Sequence, residues 1–341
     1  MTSLPWIDWD VAAQTGRRLV APGARGSRTE REQLVAELRA DARRTAEAIV
    51  ETTRLPHAGE ARELIVDRAT IVRANALTAQ QMLAPLTGAR PANPVAAAAG
   101  LTRGASIGVV LGMLGGRILG QYDPFGAQPT LYLVAPTIMA VEQQLKVPPA
   151  DFRMWVVLHE QTHRVQFANA SWLPSYIAER TRAIADAEDE AIWDDLPARL
   201  HQIRADRREK RPASMRVLNA FSSQATVTAL AQVNAAMSLL EGHADVMMDR
   251  SGRRLMSSVA TIRARFQNRR SPSGIPALLN KLMGMDAKLA QYAEGAAFCR
   301  RVIRIGGVEL LNEAFSGPDA LPSMDELLHP DRWCERMAGN G

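Results

Sequence analysis

The residues best placed to do chemistry are His159, Glu160 and His163. They form an H-E-x-x-H pattern inside Asp151-Phe-Arg-Met-Trp-Val-Val-Leu-His-Glu-Gln-Thr-His-Arg-Val-Gln-Phe167, a stretch patterned as a helix. Four residues of α-helix advance about one turn, so both imidazoles project from one face and can bind one metal ion, with Glu160 beside them. The chain has six histidines, and its composition predicts only roughly 0.006 chance occurrences of the pattern. The plain alternative is a helix whose two histidines are satisfied polar groups. A third ligand separates the two readings, because catalytic zinc takes three protein ligands and leaves one position for water.

The best source of that ligand is Leu239-Leu-Glu-Gly-His-Ala-Asp-Val-Met-Met-Asp249, where polar groups interrupt an apolar helical stretch. Buried polarity needs partners. Glu241 and Asp245 are four apart and share a face, so Glu241 is expected to bind the metal while Asp245 accepts a hydrogen bond from a ligating histidine. The competing role for Glu241 is a buried ion pair with one of the many arginines. His243 lies about 200° round the helix from Glu241, so both cannot readily bind one ion. The remaining histidines, His57, His201 and His329, lie outside these stretches.

H-E-x-x-H followed by a downstream helix bearing E-x-x-x-D resembles the gluzincin arrangement. The longer matches His159-Glu-Gln-Thr-His-Arg-Val-Gln-Phe167, Trp172-Leu173, Glu241-Gly-His-Ala244 and Met248-Asp249 are similar to the zincin-like metallopeptidases of type 2. So are Leu119-Gly-Gln-Tyr-Asp123, Val134-Ala-Pro136, Gly284-Met-Asp286, Lys288, Gln291-Tyr292 and Leu321-Pro322, so the resemblance covers most of the chain. It implies a mainly α, zincin-like metallopeptidase fold with a short edge β-strand before the active-site helix. It also implies a Zn2+ site from His159, His163 and Glu241, with Glu160 as the catalytic carboxylate of a hydrolase. Some relatives are associated with biosynthesis of a deazaflavin coenzyme. No flavin or nucleotide site is legible here: Gly112-Met-Leu-Gly-Gly-Arg117 lacks the preceding strand and the following Lys-Ser/Thr of a phosphate loop.

The expected reaction is hydrolysis of a peptide or amide by a metal-bound water, with Glu160 as general base and then as proton donor to the leaving amine. A second donor to the tetrahedral intermediate is sought among Tyr292, Tyr176 and His243, Tyr292 first. The reading from another class is a catalytically silent, metal-stabilised helical scaffold that binds a protein partner. The retained Glu160 favours catalysis, since a purely structural site more often closes its fourth position with a protein ligand.

These residues need elements to hold them. Helices are expected over 30–53 with Thr29 as cap, 58–83, from Asn93 or Pro94 toward Leu119, 149–168, 174–187, 214–249 and 285–306. Thr130–Val134, between Pro129 and Pro136, reads as a strand at a sheet edge that could receive an extended peptide. The expected division is a helical region 1–125 packed on a catalytic region 126–341, with a tail after Gly317 wrapping the surface. Gly100, Gly104, Gly108, Gly112, Gly116 and Gly120 recur every four residues, which predicts a close helix crossing. The uncharged stretch between Arg103 and Arg117 holds 13 residues, short of the ~20 of a membrane span, so the helix is expected inside a soluble core rather than in a membrane.

The 341 residues are 47% hydrophobic and 23% charged, ordinary globular usage. A net charge of +5 raises the question of nucleic acid. The cations are almost all arginine and spread along the chain, and the densest cluster, 199–211, holds acidic residues and no aromatics for base stacking. No nucleic-acid partner is expected. A second basic stretch, 263–270, runs into a Ser/Pro/Gly segment and is read as a surface loop that guards a site or meets an acidic partner. Two cysteines and an N-terminus without an apolar run point to a reduced, cytoplasmic protein.

Overall fold

Helix α1 (Trp9–Leu19) opens at Asp8, whose carboxylate accepts a hydrogen bond from the Val11 N–H. Helix α2 (Arg28–Thr53) opens two residues before the expected Thr29 cap, because Ser27 and Glu30 exchange side-chain and backbone hydrogen bonds in a capping box. The computed structural model describes residues 4–187, 224–269 and 285–339. Residues 58–83 are not one helix. Leu64-Ile-Val, suited to a pleated surface, lies in strand β1 (Arg62–Val66), and Asp67 then caps α3 (Arg68–Leu83).

Asn93 caps α4 (Pro94–Gly115), as expected. The chain continues through strand β2 (Gly120–Asp123), strand β3 (Thr130–Val134), α5 (Ala135–Leu145), α6 (Pro149–Asn169) and α7 (Leu173–Ala187). It resumes with α8 (Gln224–Leu255), α9 (Val259–Arg269), α10 (Met285–Asn312), α11 (Met324–Leu328) and α12 (Pro330–Gly339). The expected start of α8 at 214 and the basic cluster 199–211 lie outside the described residues. Helix α10 runs past Gly306, but only through a kink there, with Gly307 at φ 79°.

The strand order is β1-β3-β2, with β1 parallel and β2 antiparallel to β3. Thr130–Val134 therefore forms, but in the middle of the sheet. The expectation of an edge failed because it did not include β1 or β2 as strands. The short strands at the sheet edges before the histidine helix are β1 and β2. The sheet also crosses residue 125, taking β1 and β2 from one side of the expected division and β3 from the other.

The glycine row packs α4 directly on α1. An added Cβ would stand 2.2 Å from the Asp8 carbonyl oxygen at Gly104 and 2.5 Å from that of Ala12 at Gly108. The crossing is as close as expected, but only that side is buried. Val95, Leu101, Val109, Val110 and Met113 are exposed, so α4 is a surface helix rather than a core one. By length and composition it is the one helix among the described residues that would suffice to cross a membrane. Gly116 and Gly120 leave the row: a Cβ at Gly116 would come no nearer than 3.9 Å to Val20, an ordinary contact, and Gly120 lies in β2.

The main core joins α2, β3, α5, α6 and one side of α8, with Leu38, Leu131, Ile138, Phe152, Leu158 and Met248 all buried. A second core lies between the other side of α8, α10 and the C-terminal helices. There Leu239 and Met247 meet Phe298 and Trp333. The tail does not simply wrap the surface, since Trp333 is 0% exposed, stacks edge-on with Phe298 and donates from Nε1 to the Ala320 carbonyl.

Candidate metal centre

Pro149 at the start and Asp151 in the first turn favour α6, which is buried along most of its length. One helical turn separates His159 from His163, and their rings meet edge to face at 4.7 Å between centroids. Their Nε2 atoms are 3.2 Å apart, and Glu241 Oε2, brought by α8, lies 3.4 Å from the first and 3.8 Å from the second. The three donor atoms thus converge within 4.8 Å of one another. Tetrahedral zinc with bonds of about 2.0–2.1 Å holds its ligands about 3.3 Å apart, so this triangle of two imidazoles and a carboxylate fits zinc.

The electrostatics fit as well. Burial opposes charge on His159, but its hydrogen bond to Glu241 and the charges of Glu160, Glu241 and Asp245 outweigh burial and raise its pKa to about 9. The field at this point holds a cation, and a metal ion competes with the proton for the same lone pair. Burial lowers His163, leaving it neutral and able to ligate.

Glu160 points from α6 to the edge strand β2. An added Cβ on Gly120 would sit 2.5 Å from Glu160 Cγ, so only glycine leaves room for this carboxylate. The Tyr122 N–H donates to it, while its Oε2 has no hydrogen-bond partner among the described residues. Burial raises Glu160 to about 7, the His159 charge working against this. A carboxylate with that proton affinity can both take and return a proton near neutrality.

Behind His163 stands Gln166, which is 0% exposed. His163 Nδ1 is 2.8 Å from Gln166 Oε1, and Gln166 Nε2 is 2.8 Å from the Leu240 carbonyl oxygen and 2.9 Å from His243 Nδ1. His243 is fully buried against Phe315, and burial pushes its pKa down to about 3. It therefore stands behind a candidate ligand and not beside Glu241, in keeping with their opposite helical phase.

Asp245 is placed differently from the expectation of a histidine partner. Arg263 of α9 lies 3.3 Å from Asp245 and 2.7 Å from Asp249, and the hydrogen-bond partner seen on His163 is Gln166. Arg265 donates to the Leu145 and Lys146 carbonyls at the end of α5, so two arginines of the second basic stretch tie helices together. The rest of that stretch from Arg270 lies outside the described residues. Tyr176 lies edge-on to Trp172 and carries the Arg180 guanidinium 3.7 Å above its ring. Tyr292 belongs to α10, but its side chain lies outside the described ones. Gln166, Gly120 and Tyr122 were not singled out for the site. A glutamine three residues after His163, on the same helical face, is the signal that could have drawn attention to the first.

A family model described as zincin-like metallopeptidase matches residues 7–334. No curated protein matches the chain. A crystal structure from Chloroflexus aurantiacus, described as "a putative hydrolase with a novel fold", is 28% identical, covers 98% of this chain and 100% of its own, and superposes with a TM-score of 0.67. With the match extending over nearly the whole sequence, the chain belongs to the zincin-like metallopeptidases.

Proposed function

We propose that the chain is a zinc-dependent peptidase or amide hydrolase whose metal is held by His159, His163 and Glu241 and whose general base is Glu160. The observation that carries this reading is the convergence of three donor atoms from two helices, with a buried carboxylate one residue from the first ligand. The family supports a hydrolase, and the similar structure is described as one. When bound, zinc would supply a Lewis acid that polarises the scissile carbonyl and makes water acidic enough to be deprotonated near neutral pH.

Glu160 takes the proton from the attacking water and delivers it to the amine that leaves as the C–N bond breaks. Its hydrogen bond to Tyr122 N–H fixes the carboxylate, and Oε2 is the oxygen left to handle the proton. An extended substrate has an open edge to pair with at β2, beside Glu160, whereas β3 is paired on both sides.

Glu160→Gln tests the reading, because it keeps the shape and the three ligands and removes only the proton acceptor. In a peptide-library digestion the variant should lose ~10²–10⁴-fold in turnover, with zinc content and Tm unchanged. A parent chain that holds no zinc after purification without chelator, or a variant as active as the parent, would sink the proposal.

A further inference from the structure

We propose that Gln166 and His243 act together as a positioning pair that fixes the tautomer and orientation of His163. The inference rests on the reading of His163 as a metal ligand, but the hydrogen bonds behind it stand on their own. The Leu240 carbonyl can only accept, so the Gln166 atom facing it at 2.8 Å is the amide nitrogen. That nitrogen also faces His243 Nδ1 at 2.9 Å, which must then be an acceptor. The amide is thereby locked with Oε1 toward His163 Nδ1 at 2.8 Å. An amide oxygen only accepts, so Nδ1 of His163 carries the proton and the lone pair belongs to Nε2, the atom that meets His159 and Glu241.

His243 earns a specific role from what it lacks. Its ring is 0% exposed and packs on Phe315, and its Nε2 has no hydrogen-bond partner among the described residues. A phenylalanine would fill the same space without stranding a buried N–H. What the imidazole adds is the Nδ1 acceptor, a second one beside the Leu240 carbonyl, so that turning the Gln166 amide over breaks two hydrogen bonds rather than one. The same arrangement couples the two metal-bearing helices, because Leu240 and His243 flank Glu241 on α8 while Gln166 and His163 lie on α6.

The test uses the full chain and two readouts. Zinc affinity, measured by competition with a chromophoric chelator, should fall about 10–100-fold in His243→Phe and in Gln166→Leu. The double variant should be little weaker than the worse single one, because both substitutions break one unit. Long-range 1H–15N spectra of the zinc-free parent should show His163 protonated at Nδ1, and in His243→Phe a mixture of both tautomers. Parent-like zinc affinity in His243→Phe, fully additive losses, or an Nε2-protonated His163 in the parent overturns the proposal. Should the variants fail to fold, the parent tautomer decides. A parent that takes no zinc defeats the reading of the centre, while the tautomer still judges the pair.

Discussion

Gly120 decides where Glu160 can put its carboxylate. A methyl group there would stand 2.5 Å from Cγ and 2.8 Å from both Cδ and Oε1, and these are atoms of a side chain that can swing away. Gly120→Ala should therefore leave Tm and zinc affinity close to the parent's while moving the carboxylate off the Tyr122 N–H. Turnover should drop toward that of Glu160→Gln, and a Gly120→Ala enzyme with parental turnover would show that this placement of Glu160 is irrelevant. The histidines were legible because helical period alone puts residues 159 and 163 on one face. Gly120 was also noticed, but in a glycine row whose last member belongs to a strand, so its true neighbour was hidden until β2 met α6. The run Glu241-Gly242-His243 shows the same limit. Its three consecutive residues point to three neighbours: the histidines of α6, Gly295 of α10, and Gln166.

At the level of elements, glycines bring two pairs of helices into backbone contact among the described residues, α4 on α1 and α10 on α8, and of these two the second bears on the metal centre. Gly295→Ala would place a Cβ 1.9 Å from the Ser238 carbonyl oxygen, so α10 must move off α8. Overpacking against backbone costs about 1–3 kcal/mol or more, and because α8 carries Glu241 the zinc affinity should fall with the Tm. Gly108→Ala, with its Cβ 2.5 Å from the Ala12 carbonyl oxygen, should lower Tm in the same way and leave zinc affinity alone, since α1 and α4 supply no ligand. Equal zinc affinities in the two variants would show that the α8–α10 contact does not set the position of Glu241. That α4 crosses a neighbour closely was readable from spacing alone, as repeated glycine has few other uses in a helix, but α1 as that neighbour was not, since no helix was expected over Trp9–Leu19. That α4 would leave Val95, Val109 and Met113 exposed was not readable, because one apolar helix looks the same in a core and on a surface. The strand β1 escaped for a related reason: a short run such as Leu64-Ile-Val fits either period.

For the molecule as a whole, α8 is the shared wall. Leu240 and Met248 face the main core with α6, while Leu239 and Met247 face the second core with α10 and Trp333. A division of the chain near residue 125 looked natural because the site motifs all lie beyond it, yet the sheet that meets Glu160 takes strands from both sides. Pairing between distant strands is set by tertiary contacts that local pattern does not contain. A metal ion between His159, His163 and Glu241 would cross-link α6 to α8, and so would tie the main core to the helix that organises the second. Binding to the folded chain alone stabilises it by mass action, by ~2.7 kcal/mol when free zinc is one hundred times Kd. Removing zinc with a chelator should lower Tm accordingly, and readdition should restore it. Glu241→Ala, which keeps both histidines but breaks the bridge to α8, should melt at one temperature with or without added zinc. If the parent also melts at one temperature in chelator and in zinc, the three side chains do not bind the ion as a bridge between the two helices.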